Sequence, residues 1–164
     1  MARHTDPQLE EMSKHVTYEI ERLRYVLPIQ EQISAFVHPI ITQSLLEAFL
    51  VHLRSLSDFM VVPITRGRHP LDVVAEDYYD GTWTSQPKFI FGKDEDEHFK
   101  SMDELHRRLA HISLHRASSP DPFTWKTARE VWQPALVFAL RGFMAGLPQH
   151  RRPWFATAEM ILNN

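Results

Sequence analysis

Glu104, Arg108, His111 and His115 step by four, three and four residues, a spacing that lines them along one flank of a helix. Such a flank can do proton chemistry: His111 and His115, one turn apart, titrate near neutrality or chelate a divalent cation together, while Arg108 holds an anion. A catalytic metal site asks for a third protein ligand, and none is identifiable, so neither a metal nor a cofactor is expected. His52 is the next candidate. It falls between Leu45 and Phe59, inside the apolar arc of its helix, where an imidazole must find a hydrogen-bond partner. The plain reading is a core histidine satisfied by a neighbour; the sharper one is a pocket residue facing the helix of His111. Glu47, Arg54 and Asp58 fall together on the opposite side of that same helix, as a solvent face or a ligand-binding groove, with Arg54 and Asp58 spaced for an ion pair. Asp72, Glu76, Asp77 and Asp80 surround Tyr78, Tyr79 and Trp83, but their spacing matches no Ca²⁺ loop, and they read as a solvated segment with buried rings.

The rest of the composition narrows the chemistry. The 164 residues contain no cysteine, which excludes disulfides, thiolate nucleophiles and Cys-based zinc sites together. A net charge of −3 supplies no general attraction to nucleic acid, and the two short basic runs, 65–69 and 150–152, read as solvated loops. The start of the chain has no apolar run of the signal-peptide kind, and the most apolar stretch, 40–62, carries Glu47, His52, Arg54 and Asp58. A cytoplasmic setting without membrane contact is expected. Phosphate-binding glycine loops, the His-Glu-x-x-His zinc signature and the Gly-x-Ser-x-Gly elbow are all missing.

The elements that must position these residues are helices. Length, 43% apolar residues and only five glycines point to one all-α domain over 1–164, a bundle of five to six helices with an irregular middle segment. Leu9, Met12, Val16, Ile20 and Leu23 predict a first helix from Pro7 to about Tyr25, and Pro28 opens a short second one reaching Phe36. Pro39 starts a third, central helix to about Val61, whose apolar arc centres on Phe49. A short helical piece follows over 71–79, and Lys88 to Phe91 reads as strand-like. Ser101-Met-Asp-Glu104 fits a capping box and predicts a helix from there to about Arg116. Thr124 caps the next, which Pro134 should kink or split, and a last short helix begins near Pro153.

The runs Ser44–Phe59, Asp72–Tyr78 and Leu109–Ser113 resemble a group of bacterial helical-bundle proteins, a likeness that implies no activity. Arg108, six residues and His115 also resemble the motif of the HEPN superfamily, helical bundles that include metal-independent RNases of toxin–antitoxin and phage-defence systems, although Leu109 stands where that motif has a polar residue. That resemblance implies His115 in proton transfer, Arg108 on the scissile phosphate and RNA as the partner. The preferred expectation is a bundle that binds a protein partner or a small ligand. It is expected to be a homodimer, because Trp125, Trp132, Trp154 and Phe155 are more aromatic surface than a small domain needs. The alternatives are the RNase and a metal-dependent hydrolase centred on His52, His111 and His115.

Overall fold

The computed structural model describes residues 4–61, 71–81, 83, 87, 89–110 and 127–164, without the side chains of 95 and 106–110. These form five α-helices: α1 (Asp6–Ile33), α2 (Pro39–Met60), α3 (Glu95–Ala110), α4 (Gln133–Gly146) and α5 (Ala156–Asn163). Single 3-10 turns at Ala75–Tyr78 and Arg152–Phe155 and a π turn at Ala128–Trp132 join them, and no described residue is in a strand. The fold is therefore all-α, and the strand-like reading of the segment ending at Phe91 is corrected for its described residues. None of the described helices is long and apolar enough to cross a membrane.

The two helices expected on either side of Pro28 are one. Gln8 Oε1 accepts from the Thr5 amide at 2.9 Å to start α1, and the helix then runs through Pro28 to Ile33. Pro28 has no N–H to donate to the Arg24 carbonyl, a loss that breaks many helices. Here Leu23, Val26 and Leu27 are buried around the proline, so packing along α2 holds the helix across the missing bond. In α2, Leu46, Phe49, Leu53, Leu56, Phe59 and Met60 of the expected arc are buried, Leu50 joins them, and Leu45 is only partly buried.

Helix α3 begins six residues before Ser101. Asp94 is the cap: its Oδ1 accepts from the Glu97 amide at 2.9 Å and its carbonyl from the His98 amide at 3.1 Å. Acidic residues at 95, 96 and 97 then fill the first turn, where the helix dipole favours negative charge. Gly92 makes the approach, with a φ of +90° and a position at which a Cβ would fall 2.3 Å from that of Glu97. Ser101 and Glu104 consequently lie inside the helix, and the capping box is not used. The expected continuation to Arg116 and the cap at Thr124 lie outside the described residues.

Pro134 splits its helix as expected, by a π turn. It cannot donate to the Glu130 carbonyl, and the Gln133 amide instead reaches back five residues to Ala128. In an unbroken α-helix each step of four overshoots a full turn by about 40°, so Ala128, Trp132, Leu136 and Leu140 would drift apart by about 120°. The wider turn offsets part of that drift, and all four are buried.

Phe143 of α4 lies where the other elements converge. Its ring meets Phe59 of α2 at 5.4 Å, Tyr78 at 5.9 Å, Tyr79 at 6.0 Å, Trp83 at 5.7 Å and Phe155 at 5.3 Å, all edge-on or nearly so. Truncating it leaves a cavity that five rings from distant segments cannot fill together. Phe143→Ala is expected to cost about 3–5 kcal/mol in urea unfolding, against less than about 0.5 kcal/mol for Val131→Ala on the exposed face; similar losses in the two variants would contradict this convergence.

Candidate functional site

His52 is placed against α1, with Nδ1 2.8 Å from Glu19 Oε2 and both side chains largely covered. A carboxylate only accepts, so Nδ1–H is the donor. Tyr18 meets the imidazole edge-on at 5.9 Å, and the Arg22 guanidinium lies 5.0 Å from the Tyr18 ring centre. This is the core histidine satisfied by a neighbouring side chain that the sequence suggested. Glu47, Arg54 and Asp58 lie elsewhere. At 100° per residue they stand at least about 120° round α2 from His52, so the four ligand-binding candidates do not converge. Arg54 Nε is 3.6 Å from Asp58 Oδ2, a half-exposed pair, and Gln43 Nε2 donates to Glu47 Oε1 at 3.0 Å.

Arg108 belongs to α3 by its backbone, but its side chain, like all of His111 and His115, lies outside the described residues. The RNase reading and the hydrolase reading depend on those side chains, and no described feature favours either. Among the described residues no group of three His, Asp or Glu is placed to hold a metal ion.

Two polar features were not foreseen. Arg151, in a run read as a solvated loop, is buried. Its Nη2 is 2.7 Å from Asp6 Oδ1 and 3.5 Å from Asp80 Oδ1, and its Nε has no partner. The acidic segment takes part in the same end of the bundle: Asp77 Oδ2 accepts from the Val74 amide at 3.0 Å and faces His4 Nε2 at 3.7 Å. Asp77 is therefore not solvated as expected, while Tyr78 and Trp83 are buried as expected. Only the pairing of opposite charges far apart in sequence could have signalled Arg151, and spacing alone does not choose among such pairs.

His98 is the other. It is 2% exposed, and its Nδ1 accepts from the amides of Phe91 at 3.2 Å and Ile90 at 3.4 Å, so this imidazole pins the strap that leads into α3. Phe91, held in this way, stacks on Trp132 of the π turn at 5.3 Å.

That strap forms one wall of a groove of about 340 Å³. Trp83, Pro87, Phe89 and Ile90 line one side, and Ala135, Phe138, Ala139 and Gly142 of α4 line the other. Trp83 is fixed by stacking on Tyr79 at 5.0 Å and 9°. Tyr79 donates to the Phe143 carbonyl at 2.6 Å, and burial pushes its phenol up to about 12. Gly146 makes room for it, since a Cβ there would sit 2.8 Å from the Tyr79 hydroxyl. Phe138 is 81% exposed at the groove's edge. The sequence held a signal for it: Leu136, Leu140 and Phe143 set the buried stripe, and Phe138 lies about 200° from Leu136, an aromatic out of phase with its own core.

Among the described residues, the aromatic surplus behind the homodimer expectation is mostly buried. Trp132 and Phe155 are buried and Trp154 packs partly against the core, while Trp125 lies outside the described residues. Comparison of the chain with protein-family models, with curated proteins and with solved structures finds no match.

Burial holds the pKa of His98 below the ordinary 6.5, because a charged imidazole there loses its water. The neutral ring thus adds stability in full above pH 6.5, and that stability is lost as pH falls from 6.5 towards the folded value, by at most about 1.4 kcal/mol per unit. His98→Asn keeps an acceptor and removes the proton. Its unfolding free energy should fall less than the wild type's between about pH 7 and 5, and parallel profiles would remove His98 from the account.

Proposed function

We propose that this chain is a binding protein, cytoplasmic in setting, that docks an apolar group of a partner or ligand in the groove between α4 and the strap. The observation that carries the reading is the exposed Phe138 beside a concave surface whose lining residues are of apolar types. Binding sites are concave and mostly apolar, and the groove's volume lies at the small end of their range. By contrast, His52, Arg54 and the buried Arg151 are occupied by protein carboxylates, which makes them parts of the scaffold.

Gly142 provides the test. A Cβ at this helical position meets nothing within 4 Å, so Gly142→Leu fills the groove without straining the backbone, and replacing a helical glycine favours the helix by up to about 1 kcal/mol. The wild type should bind the apolar fluorophore anilinonaphthalene sulfonate at pH 7, and Gly142→Leu should bind it at least about tenfold more weakly, a change of about 1.4 kcal/mol, with an equal or higher Tm. Equal dye binding by both proteins would overturn the groove as the docking site.

A further inference from the structure

Resting on that reading, we infer that His98 is an acid-released latch for the groove: a proton taken up from water at its Nδ1 frees residues 89–91 from α3, and with them part of one wall of the docking surface. An amide N–H only donates, so Nδ1, which accepts from Phe91 at 3.2 Å and from Ile90 at 3.4 Å, carries no proton in the folded chain. Once protonated, that nitrogen points a hydrogen at two others. Both amides then lose their acceptor together, at residues whose burial keeps water from replacing it.

The release is local. Phe89 and Ile90 line the groove, Phe91 stacks on Trp132, and Gly92 follows at a φ of +90°, a residue whose backbone turns at little cost. Beyond that pivot α3 has its own start, because Asp94 Oδ1 accepts from the Glu97 amide whether or not residues 89–91 are held.

The described charged groups near the latch have other partners or lie in water. On its own helix and the turn before it, Asp94 and Glu97 accept from the Glu97 and Lys93 amides, and Lys93, Asp96 and Lys100 are exposed. On α2, which packs on α3, Arg54 pairs with Asp58 and His52 with Glu19; on the π turn, Arg129 pairs with Glu31 and Glu130 is exposed. Burial, which disfavours the charged ring, therefore sets the direction: neutral and latched near neutrality, charged and released in acid. A released imidazole titrates near 6.5, so the opening equilibrium of residues 89–91 grows by up to about 25-fold between about pH 7 and 5.

Amide hydrogen exchange reads the latch residue by residue. The Ile90 and Phe91 amides should be less protected than those of Ile20 and Leu53 in the core helices, the mark of a local opening. Their protection factors should fall at least about threefold from pH 7 to pH 5 in the wild type, and change by less than about 1.5-fold in His98→Asn, whose oxygen accepts but takes no proton. Protection equal to that of Ile20 and Leu53, or the same response to pH in both proteins, overturns the latch. Nitrogen NMR of the wild-type ring needs no variant: His98 Nδ1 should be unprotonated at pH 7, and a proton on it there also overturns the latch. Dye binding separates gating from docking. The wild type should bind anilinonaphthalene sulfonate at least about twofold more weakly at pH 5 than at pH 7, and His98→Asn should bind it alike at both, because affinity falls with the latched fraction. Equal wild-type affinity at the two values overturns the gating and keeps the groove as a docking site. Dye binding at pH 7 that Gly142→Leu retains removes the docking reading and its gating, while the amides still decide the release.

Discussion

The packing of five rings around Phe143 is the contact on which the other positions depend. Phe59 brings α2 to it, Tyr78 and Tyr79 bring the 3-10 turn, Trp83 brings the strap, and Phe155 brings the turn before α5. Each ring meets it with its edge or at a steep angle, the arrangement in which the positive rim of one ring faces the negative face of another. The hydroxyl groups add direction: Tyr78 donates to the Leu9 carbonyl at 3.0 Å and Tyr79 to that of Phe143. A single side chain thereby fixes the first helix, through Tyr78, and the groove wall, through Tyr79 and Trp83.

The long amphipathic elements were legible in the sequence because a buried stripe and its spacing are local facts. Leu9 to Leu23 and Leu45 to Met60 gave up their helices in this way, and Pro134 announced a break that the π turn supplies. Where the outcome depended on distant partners, the sequence misled. Pro28 is read as a boundary by any local rule, yet packing on α2 carries the helix across it. The capping box at Ser101 was read as the start of α3, but Asp94, with Gly92 before it and acidic residues at 95–97 after it, caps the helix six residues earlier. The candidate sites divide in the same way. His52 was legible as a core histidine with a partner, but nothing local named Glu19. Glu47, Arg54 and Asp58 were legible as lying on the side of α2 opposite His52, which is why these four candidates form no single site.

Polar and apolar groups have exchanged the roles that their types suggest. Arg151 and His98, residues more often found at sites or on surfaces, are interior fasteners here, one clamping Asp6 and Asp80, the other accepting two backbone amides. The aromatic Phe138, of a type usually given to the core, faces water. This inversion is why a search for titratable clusters reaches the scaffold first, and why the groove was found from exposure and helical phase.

The order in which the polypeptide is synthesised gives the α1 stripe a particular exposure. The Ser13 hydroxyl lies 3.4 Å from the carbonyl of Trp154, 141 residues further on, and α1 packs against α5 and the turn before it. At ordinary ribosomal rates of about 5–20 residues per second, Leu9 and Ser13 wait roughly 7–30 seconds for their cover. Throughout that interval the nascent hairpin of α1 and α2 presents an uncovered apolar stripe, the kind of surface that chaperones at the ribosome exit take up.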